Sequence, residues 1–545
     1  MLVEMSSPVF KENGVERPPV IFKEGLNVIL GKEDGENSIG KSSAMLAIDF
    51  VFGGNTYISG DGVKHIGHHT LFFAFEFNGS RYYFARNTAD ADQIQVCDKN
   101  YELTGVVWTK EEFTDWLKIN YGIDFLELSF RLSVSSFFRI YGKDNADELK
   151  PLRGIPGHSM EKSIDILIKL FNLYESIHRY KKELNDQKEK LTVFKNARRY
   201  RFVPDLVGGV EQYEANQMEI EDLKIELDSL TSQQAEQHSD EDIEKNRIKS
   251  QLKDDKLRLE IQIDGLKRRL TLLDMSIEYG LYPTEADLGA LQEFFPGVNL
   301  RKIYEIENYH QKLAGILDRQ FEDERSAVKD EIAGLEAEVG QIQERMNEIG
   351  IIGSISKEFL DKHSEIKGRM DALTAQNEAY LLQRDLEDQR RRASAQLKSG
   401  IKSILSDMER DINAQMKEYN DSLYTESRKP PQLTFNDYNS YRFETPDDTG
   451  TGSNYKGMVI YDLAILALTD LPAIAHDSFI LKNIGDSVID GIMSIYERSG
   501  KQIFIAFDKQ DAYPQNTRSI LANNTVLRLS DNGSELYGMS WNKEG

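Results

Sequence analysis

The order of apolar and polar residues changes twice along this chain, and its middle part carries a heptad repeat. Between residues 160 and 400 the composition turns to Glu, Lys, Gln, Leu and Ile. Apolar residues there recur at spacings of four and three in three runs, with one polar member: Tyr213, Asn216, Ile220, Leu223, Leu227 and Leu230; Leu259, Ile263, Leu266, Leu270 and Leu273; Val328, Ile332, Leu335, Val339, Ile342, Met346 and Ile349. This spacing with charged flanks predicts a coiled coil. Long amphipathic helices in an ordinary bundle are the alternative.

Three breaks interrupt the repeat and predict how these helices return on themselves. The segment Tyr279–Gly297 contains two prolines and several glycines, which stop any coiled coil. A polar break at residues 233–240 and another at residues 349–356 lie at similar distances on either side. We therefore expect the helices to fold back antiparallel, with the two outer breaks facing each other as an elbow.

The segments before and after the repeat are rich in aromatic and β-branched residues and punctuated by glycine. Leu71–Phe77 and Tyr82–Ala85 alternate in polarity and are joined through Asn78 and Gly79, which predicts a β-hairpin. The pattern along the chain is therefore a folded segment, a helical segment and a second folded segment.

Composition narrows the class of protein. The chain has 545 residues, of which 40% are hydrophobic, so a wholly disordered protein is excluded. Its net charge of −24 argues against a uniformly basic nucleic-acid coat but leaves room for local basic sites. Cys97 is the single cysteine, and no basic-then-apolar leader opens the chain, so we expect a cytoplasmic location. Asp462 and Asp470 interrupt the apolar stretch Met458–Ala475, which predicts a buried segment and no membrane association.

The strongest motif is GENSIGKS at residues 35–42, a complete GxxxxGK[ST] phosphate-binding loop. It follows the apolar strand candidate Leu26–Leu30 and precedes the helix-like run Ser43–Phe52, which is the context that the motif requires. Backbone N–H groups of such a loop curl around phosphates, and the start of the helix adds the positive end of its dipole. Lys41 is expected to reach the β- and γ-phosphates of ATP, and the Ser42 hydroxyl to bind Mg²⁺.

Two features of the C-terminal segment fit the same chemistry. LPAIAHDS is an apolar strand candidate that ends in Asp477, a carboxylate suited to hold Mg²⁺. A simple turn aspartate is the alternative for Asp477. The glycine-rich turn at residues 448–453 leads into the helix-like run Tyr455–Thr469 and offers a second helix start to a phosphate. A flexible loop capped by Ser453 is the alternative there.

With a phosphate-binding loop near one end, an acid-ended strand near the other and a coiled coil between them, the chain resembles the ABC-type ATPases of the structural-maintenance-of-chromosomes class and their double-strand-break-repair relatives. The resemblance implies an α/β head assembled from both ends of the chain, with an inserted antiparallel coiled-coil arm. It divides the chain into residues 1–160 (N-terminal half of the head), 161–278 (ascending arm), 279–317 (apex), 318–398 (descending arm) and 399–545 (C-terminal half of the head). The stretch GTGSNYKGMVIYDLAIL followed by LPAIAHDSF is similar to short-armed bacterial relatives in anti-phage and anti-plasmid systems, such as Lamassu-like and other three-component ABC systems.

The resemblance also implies roles for individual residues. In those families two heads enclose two ATP molecules, and the glycine-rich signature of each head covers the ATP of the other. The implied ATP-binding residues are Gly35, Asn37, Gly40, Lys41, Ser42, Ser43, Arg139 and the signature Gly450, Thr451, Gly452 and Ser453. Ser42 and Asp477 would bind Mg²⁺, Lys41 and Asp477 would be catalytic, and Asp486 corresponds to an aspartate near the dimer contact.

Three departures from the family pattern bear on hydrolysis. The glutamate that normally polarises the attacking water is replaced by Ser478, and a serine hydroxyl is a weak base. The histidine expected after the next strand is missing, since Gln502–Phe507 runs into Asp508. Arg139 stands where a glutamine is usual and could contact phosphate but cannot bind Mg²⁺. We therefore expect slow ATP hydrolysis.

Basic clusters are the candidate DNA contacts. By analogy with the resembled families, those near the ends of the arm are favoured, namely residues 179–182, Arg198, Arg199 and Arg201, and Arg390, Arg391 and Arg392. Solvated coil faces are the alternative, preferred for residues 267–269. Arg81 and Arg86 on the hairpin are weaker candidates, and the histidines at 65, 68 and 69 predict packing or surface roles.

Together these features predict an ATP-gated coiled-coil ABC ATPase that uses ATP and Mg²⁺, forms a homodimer through its heads, and clamps or senses DNA. The resemblance adds a role in a bacterial anti-phage or anti-plasmid complex, with effector and accessory subunits as partners. Two alternatives stay open: a DNA-repair or chromosome-organising ATPase, and a nucleotide-stabilised protein scaffold that does not contact DNA.

Overall fold

The computed structural model describes residues 1–31, 39–200, 202–204, 208–235, 240–278, 300–349, 357–508 and 510–541. The chain divides into two compact units. We call Met1–Val193 together with Asp385–Gly545 the α/β unit, and Phe194–Arg384 the helical unit. The α/β unit thus combines the two ends of the chain, and the helical unit is inserted between them.

Strands and helices follow one another in a mixed order. The strands are β1 (Leu2–Ser6), β2 (Lys11–Glu12), β3 (Val15–Glu16), β4 (Val20–Ile21), β5 (Leu26–Leu30), β6 (Thr70–Phe77), β7 (Ser80–Asn87), β8 (Gln93–Cys97), β9 (Leu103–Thr109), β10 (Phe138–Arg139), β11 (Gln432–Asp437), β12 (Ser440–Glu444), β13 (Ala473–His476), β14 (Gln502–Phe507) and β15 (Thr525–Arg528). The helices are α1 (Lys41–Val51), α2 (Asp61–Ile66), α3 (Lys110–Asn120), α4 (Phe130–Phe137), α5 (Met160–Leu170), α6 (Tyr174–Arg199), α7 (Val210–Ala235), α8 (Asp240–Glu278), α9 (Leu300–Glu348), α10 (Lys357–Ser422), α11 (Thr451–Leu468), α12 (Ser478–Leu481), α13 (Asp486–Arg498) and α14 (Gln515–Asn524).

A parallel sheet with the order β10-β13-β14-β5-β15 forms the centre of the α/β unit. Strands β5 and β10 come from the N-terminal segment, and the other three come from the C-terminal segment. Every residue of β5, β13 and β14 is buried. Because successive side chains of a strand point to opposite faces, this pattern requires both faces of the sheet to be covered. Helices α1, α4, α11 and α14 pack against it.

A second, antiparallel sheet with the order β4-β1-β6-β7-β8-β9 lies in the same unit. It contains the hairpin that the sequence predicted, since Phe77 of β6 pairs with Ser80 of β7. Asn78 has a φ of 52° and Gly79 a φ of 75°, the left-handed pair that a tight two-residue hairpin requires. The hairpin prediction is therefore confirmed.

The apolar stretch before Asp477 lies inside the α/β unit as predicted. Helix α11 is buried continuously from Lys456 to Leu466, and β13 follows it. Among the residues that the structure describes, no helix combines the length and the apolar character needed to cross a membrane.

The helical unit contains antiparallel helix pairs. Between α8 and α9, Lys267 forms an ion pair with Glu336 at 2.8 Å and Arg325 forms one with Asp274 at 2.7 Å, so residue numbers rise along one helix as they fall along the other. The apolar residues between these helices belong to two of the predicted heptad runs: Ile263, Leu266, Leu270, Val328, Ile332, Leu335 and Val339. The heptad prediction is confirmed for this pair.

The helix ends differ from the expected boundaries. Helix α9 begins at Leu300, so residues 300–317, assigned to the apex from the sequence, are helical. Helix α10 runs without a break to Ser422, past the expected boundary at residue 398. Leu405, Met408, Ile412 and Met416 of α10 belong to the hydrophobic core of the α/β unit, and their burial there supports the helix beyond residue 398. The predicted break Tyr279–Gly297 lies outside the described residues, as do residues 236–239 of the predicted break at 233–240 and residues 350–356 of the one at 349–356.

Candidate nucleotide-binding site

Three neighbouring strands of the parallel sheet end at one edge, and each is followed by a residue with potential chemistry. Strand β5 leads into Gly31 and the phosphate-binding motif, β14 leads into Asp508, and β13 leads into Asp477. Ligands of open α/β sheets bind at the carboxyl edge of the strands. The sheet order therefore brings the two ends of the chain together at an edge suited to binding.

The described part of the phosphate-binding motif begins helix α1. Gly35 and Asn37 lie outside the described residues. Gly40 has a φ of 95°, and a Cβ there would lie 2.6 Å from the Cβ of Leu536, so this turn accepts only glycine. The N–H of Leu536 also donates a hydrogen bond to the carbonyl of Ile39 at 3.0 Å. The C-terminal segment thus packs directly against the start of α1.

The first turn of α1 fits a phosphate group. Among the residues that the structure describes, no side chain caps it, and its first turn contains no acidic residue. The N–H groups at the start of an uncapped helix are available to an anion, and the helix dipole favours negative charge there. Ser42 and Ser43 are half-buried in this turn.

Lys41 contributes the cation of this edge, and its ammonium group is held by Asp508. Its Nζ lies 2.7 Å from Oδ1 of Asp508, whose other oxygen lies 2.8 Å from Nζ of Lys482. Asp508 is 5% exposed and Lys41 is 7% exposed. A Cβ on Gly31 would lie 2.2 Å from Oδ1 of Asp508, so a glycine at the end of β5 makes room for this ion pair. In the sequence, Asp508 stands out only as the residue found where the family pattern has a histidine. The signal for its place in the site is that it directly follows the buried strand β14.

Asp477 begins the short helix α12 at the end of β13. Its Oδ1 accepts a hydrogen bond from the N–H of Ser478 at 2.7 Å, and its Oδ2 accepts one from the N–H of Tyr141 at 3.1 Å. Oδ1 also lies 3.4 Å from the Ser478 hydroxyl, whereas Oδ2 has a second lone pair for a metal ion or for a water molecule bound to it. The carboxylate is therefore both held in place and compatible with Mg²⁺. Ser478, where a glutamate would be expected, is buried with its Oγ 3.4 Å from Oδ1 of Asp477.

Arg139 has a different environment from the predicted phosphate contact. Its guanidinium is fully buried and donates to both oxygens of Asp462, at 2.9 and 2.8 Å, and to the carbonyls of Asn145 and Pro151. With four of its five donors used inside the core, this guanidinium does not face a ligand. The predicted phosphate contact of Arg139 is therefore corrected to a structural role, which follows from the acidic partner on α11.

The Arg139 ion pair belongs to a buried network behind Asp477. Nε2 of His476 lies 3.0 Å from Oδ2 of Asp462, and Nδ1 of His476 lies 2.6 Å from the Tyr496 hydroxyl. Burial alone raises the pKa of Asp462, but the attraction of Arg139 outweighs it and holds that pKa below its ordinary value. The carbonyl of Arg139 accepts a hydrogen bond from the N–H of Asp477 at 3.0 Å. The network thereby connects α11 to the strand end that carries Asp477.

The glycine-rich turn leads into α11, which begins at Thr451. Gly450 is the residue before the helix, and Thr451 is exposed. Ser453 donates its hydroxyl hydrogen bond back to Asp448 at 2.5 Å. A Cβ on Gly452 would lie 2.8 Å from the carbonyl of Asn483, so this turn packs closely against the segment after α12.

The basic clusters separate into exposed and paired groups. Arg198 and Arg199 are exposed at the end of α6, followed by Tyr200 at 66% and Phe202 at 49% exposure. Arg201 lies outside the described residues. In α10, Arg390 is half-buried, Arg391 and Arg392 are exposed, and Arg391 pairs with Asp388 at 3.6 Å.

Other candidate charges have partners inside the protein. Lys267 and Arg269 pair with Glu336 and Glu324, which supports the interpretation of a solvated coil face. Arg86 is fully buried and donates to the backbone carbonyls of Phe50, Gly54 and Ala91, and burial lowers its pKa to about 9. Its suggested DNA contact is therefore wrong, because β7 is buried continuously from Phe84 to Arg86.

The three histidines of the loop before β6 make separate contacts. His65 stacks on Trp541 with ring centroids 4.7 Å apart, and His68 lies 3.2 Å from the Thr88 hydroxyl. His69 is buried 2.8 Å from the Tyr57 hydroxyl. Within the described ranges no group of three or more potential metal ligands occurs. The prediction of packing and surface roles agrees with these contacts.

Comparison with known proteins yields one family match and several solved structures. Residues 419–541 match the family described as "Uncharacterised protein conserved in bacteria (DUF2326)". This segment contains Gly450–Ser453, Asp477 and Asp508. No curated protein matches the chain.

Two crystal structures of Smc head domains are similar over nearly the whole length. One is the Smc head domain with a coiled coil and joint from Pyrococcus yayanosii, with 14% identity, 99% of this chain and 96% of that chain covered, and a TM-score of 0.41. The other is the Smc head domain with an extended coiled coil bound to the C-terminal domain of ScpA from Pyrococcus furiosus, with 12% identity, 99% and 94% covered, and a TM-score of 0.34. The candidate site rests on this chain's own residues.

Proposed function

We propose that this chain is a MgATP-dependent coiled-coil ATPase of slow turnover that dimerises through its α/β units and clamps or senses DNA. The observation that carries the proposal is the complete phosphate-binding motif between β5 and α1, beside the strand ends of Asp508 and Asp477. A motif of this kind in a parallel sheet is a nucleotide site by the chemistry of its backbone N–H groups and lysine.

Each proposed nucleotide contact has a defined chemistry. Gly35, Asn37 and Gly40 belong to the loop around the phosphates, Lys41 neutralises the β- and γ-phosphates, and the N–H groups of Ser42 and Ser43 face the anion. Mg²⁺ would be held by the Ser42 hydroxyl and Asp477, directly or through water, and would neutralise charge that develops on the phosphate oxygens. Lys41 and Asp477 are thus the proposed catalytic residues.

Dimerisation would use the turn at residues 450–453. Its position at the start of the 18-residue helix α11, with Gly450 and Thr451 exposed, supports a contact to the phosphate of a second copy. Binding of ATP would then join two α/β units, and slow hydrolysis would separate them. This cycle assumes the division of the chain into two halves of an ATPase head and an inserted arm.

DNA contact is supported by the exposed basic and aromatic residues at the end of α6 and by the exposed arginines of α10. Local cations can bind phosphate even in a chain with a net charge of −24, because screening limits charge interactions to about 10 Å at ordinary salt. The proposed setting is the bacterial cytoplasm, within an anti-phage or anti-plasmid complex whose effector and accessory subunits respond to ATP or DNA. A repair or chromosome-organising ATPase, or a scaffold without DNA contact, are the competing functions.

Two substitutions test the proposal. Lys41→Ala removes the phosphate-binding ammonium and should abolish MgATP binding, measured by titration calorimetry. Asp477→Asn removes a Mg²⁺ ligand and should impair Mg²⁺-dependent dimerisation, measured by light scattering. Lys64→Ala is the matched control, since Lys64 is exposed in an ion pair with Asp61.

The same proteins separate the competing functions. A DNA clamp binds DNA with an affinity that falls steeply as salt rises, and the gating idea requires Lys41→Ala and Asp477→Asn to weaken that binding. A repair-type ATPase predicts turnover that DNA stimulates. Absence of DNA binding at low salt would favour the scaffold. If both variants dimerised and bound DNA like the parent chain, the gating proposal would be wrong.

A further inference from the structure

We propose that Asp508 supplies the water-activating carboxylate that this chain lacks after Asp477. The inference rests on the proposed MgATP hydrolysis and adds the residue that performs its proton transfer. Slow turnover would then reflect a carboxylate that must first leave an ion pair, and not the absence of a base.

The sheet order carries the first step of the argument. Strand β14 lies between β5, which leads to the phosphate-binding motif, and β13, which ends before Asp477. Phe507 pairs with Leu30, so Asp508 and Gly31 follow side by side at the carboxyl edge. Asp508 therefore extends from the central strand of this edge, directly beside the lysine that would hold the γ-phosphate.

The neighbouring groups are poorly suited to accept a proton. The Ser478 hydroxyl is a weak base and is directed to Asp477. Both oxygens of Asp477 accept backbone hydrogen bonds, and this carboxylate is assigned to Mg²⁺ in the proposed function. Asp508 is instead bound by the ammonium groups of Lys41 and Lys482. A carboxylate held by lysines can be released when one of them finds another anion.

ATP provides that other anion. A triphosphate carries more charge than a carboxylate, so Lys41 would exchange Oδ1 of Asp508 for phosphate oxygens. The second oxygen keeps its 2.8 Å contact with Lys482, which holds the carboxylate in place. The freed Oδ1 then remains next to the site of the γ-phosphate and can accept a hydrogen bond from a water molecule.

The chemical step balances as follows. The water oxygen forms a bond to the γ-phosphorus while the bond from that phosphorus to the β,γ-bridging oxygen breaks, and the electron pair of that bond stays on ADP. The proton lost by the water goes to Asp508 and from there to the released inorganic phosphate. Lys482 is a positioning residue in this step, since it would act through its contact with the Asp508 carboxylate.

Asp508→Asn is the decisive variant because it keeps the shape of the side chain and removes its basicity. General-base catalysis contributes about 10²–10⁴-fold, so we expect single-turnover hydrolysis of MgATP to fall at least 10²-fold. MgATP affinity should equal or exceed that of the parent chain, because Lys41 loses a competing anion. Asp511→Asn, an exposed carboxylate in the turn after β14, is the matched control and should leave both quantities unchanged.

The outcomes are distinct from those for the proposed function. Hydrolysis that falls less than tenfold in Asp508→Asn, or loss of MgATP binding in a folded variant, would overturn the role of Asp508. A parent chain that binds MgATP without hydrolysing it would overturn this inference and leave the nucleotide-binding proposal standing. A parent chain that binds no MgATP would overturn both.

Lys482→Met keeps the test decisive if Asp508→Asn does not fold. Lys482 is partly exposed, with 44% of its side chain accessible, so its replacement leaves the core intact. A positioning role predicts that kcat falls about tenfold while KM is unchanged, and Lys482→Arg should restore most of the rate. An unchanged kcat in Lys482→Met would contradict the arrangement.

Discussion

Replacing Arg139 by methionine tests the buried network behind Asp477. Methionine fills much of the same volume but leaves the Asp462 carboxylate fully buried, with His476 as its remaining side-chain partner. The carbonyls of Asn145 and Pro151 also lose their donors. Removing one partner of a buried ion pair costs about 3–5 kcal/mol of folding stability, so we expect a loss in that range for the α/β unit.

Tryptophan fluorescence during denaturant unfolding reports the loss of folding stability of the α/β unit. All three tryptophans, at positions 108, 116 and 541, lie in the α/β unit. Arg81→Met is the matched control, since Arg81 forms an exposed ion pair with Glu76 at 2.8 Å. Exposed pairs contribute about 0–1 kcal/mol, so this variant should unfold almost like the parent chain.

A double substitution and a pH series complete the test. Arg139→Met combined with Asp462→Leu removes the stranded charge and should recover most of the loss. In the parent chain the pKa of Asp462 is depressed below 3.8, so its contribution is present above that value and is lost as the pH falls through the lower folded pKa. In Arg139→Met the unpaired carboxylate gains stability from protonation, so the difference between parent and variant should narrow in acid. A loss no larger than that of Arg81→Met, or no recovery in the double variant, would refute the reasoning.

Two further predictions concern the helical unit. The side-chain amide of Asn216 donates a hydrogen bond to Oδ1 of Asn377 at 3.1 Å, and both residues are buried. Asn216→Leu leaves that oxygen without its donor and should lower folding stability by about 1–3 kcal/mol, whereas leucine at both positions should restore or raise it. Circular-dichroism unfolding curves measure both, and an equal loss in the single and double variants would contradict the prediction. The double variant Arg198→Ala/Arg199→Ala should bind DNA more weakly, and the slope of log affinity against log salt concentration, measured by fluorescence anisotropy, should decrease by about 2. Arg269→Ala is the control and should leave the slope unchanged, because the charge of Arg269 is already paired with Glu324.

The elements that sequence patterns predicted well are those that local physics determines. The hairpin at Asn78 follows from two residues that accept positive φ, and the α8–α9 pair follows from a heptad seam that has one way to bury its apolar residues. Strand β5 and helix α1 follow from a local change of polarity around the glycine-rich motif. In each case neighbouring residues contain enough information to specify the conformation.

The candidate site was predicted only in part, for a different reason. The motif at Lys41 and the strand end at Asp477 could be recognised because each is a local pattern. Arg139 was assigned to phosphate from its place in the family pattern. Its actual partner, Asp462, lies 323 residues away, so no neighbouring residue in the sequence indicates that Arg139 is buried. The end of α10 was also not predicted, because the helix continues to Ser422 through apolar residues that are buried in the core of the α/β unit.

By itself the sequence determined the β6–β7 hairpin, the place of the phosphate-binding motif along the chain and the spacing of the coiled-coil seam between α8 and α9. Only the tertiary structure decided which charges meet. The order of strands in the parallel sheet brings Asp508 to Lys41 and buries Arg139 against Asp462, although each pair joins opposite ends of the chain. Sheet order depends on the packing of every strand and helix together, whereas a motif depends on a few adjacent residues.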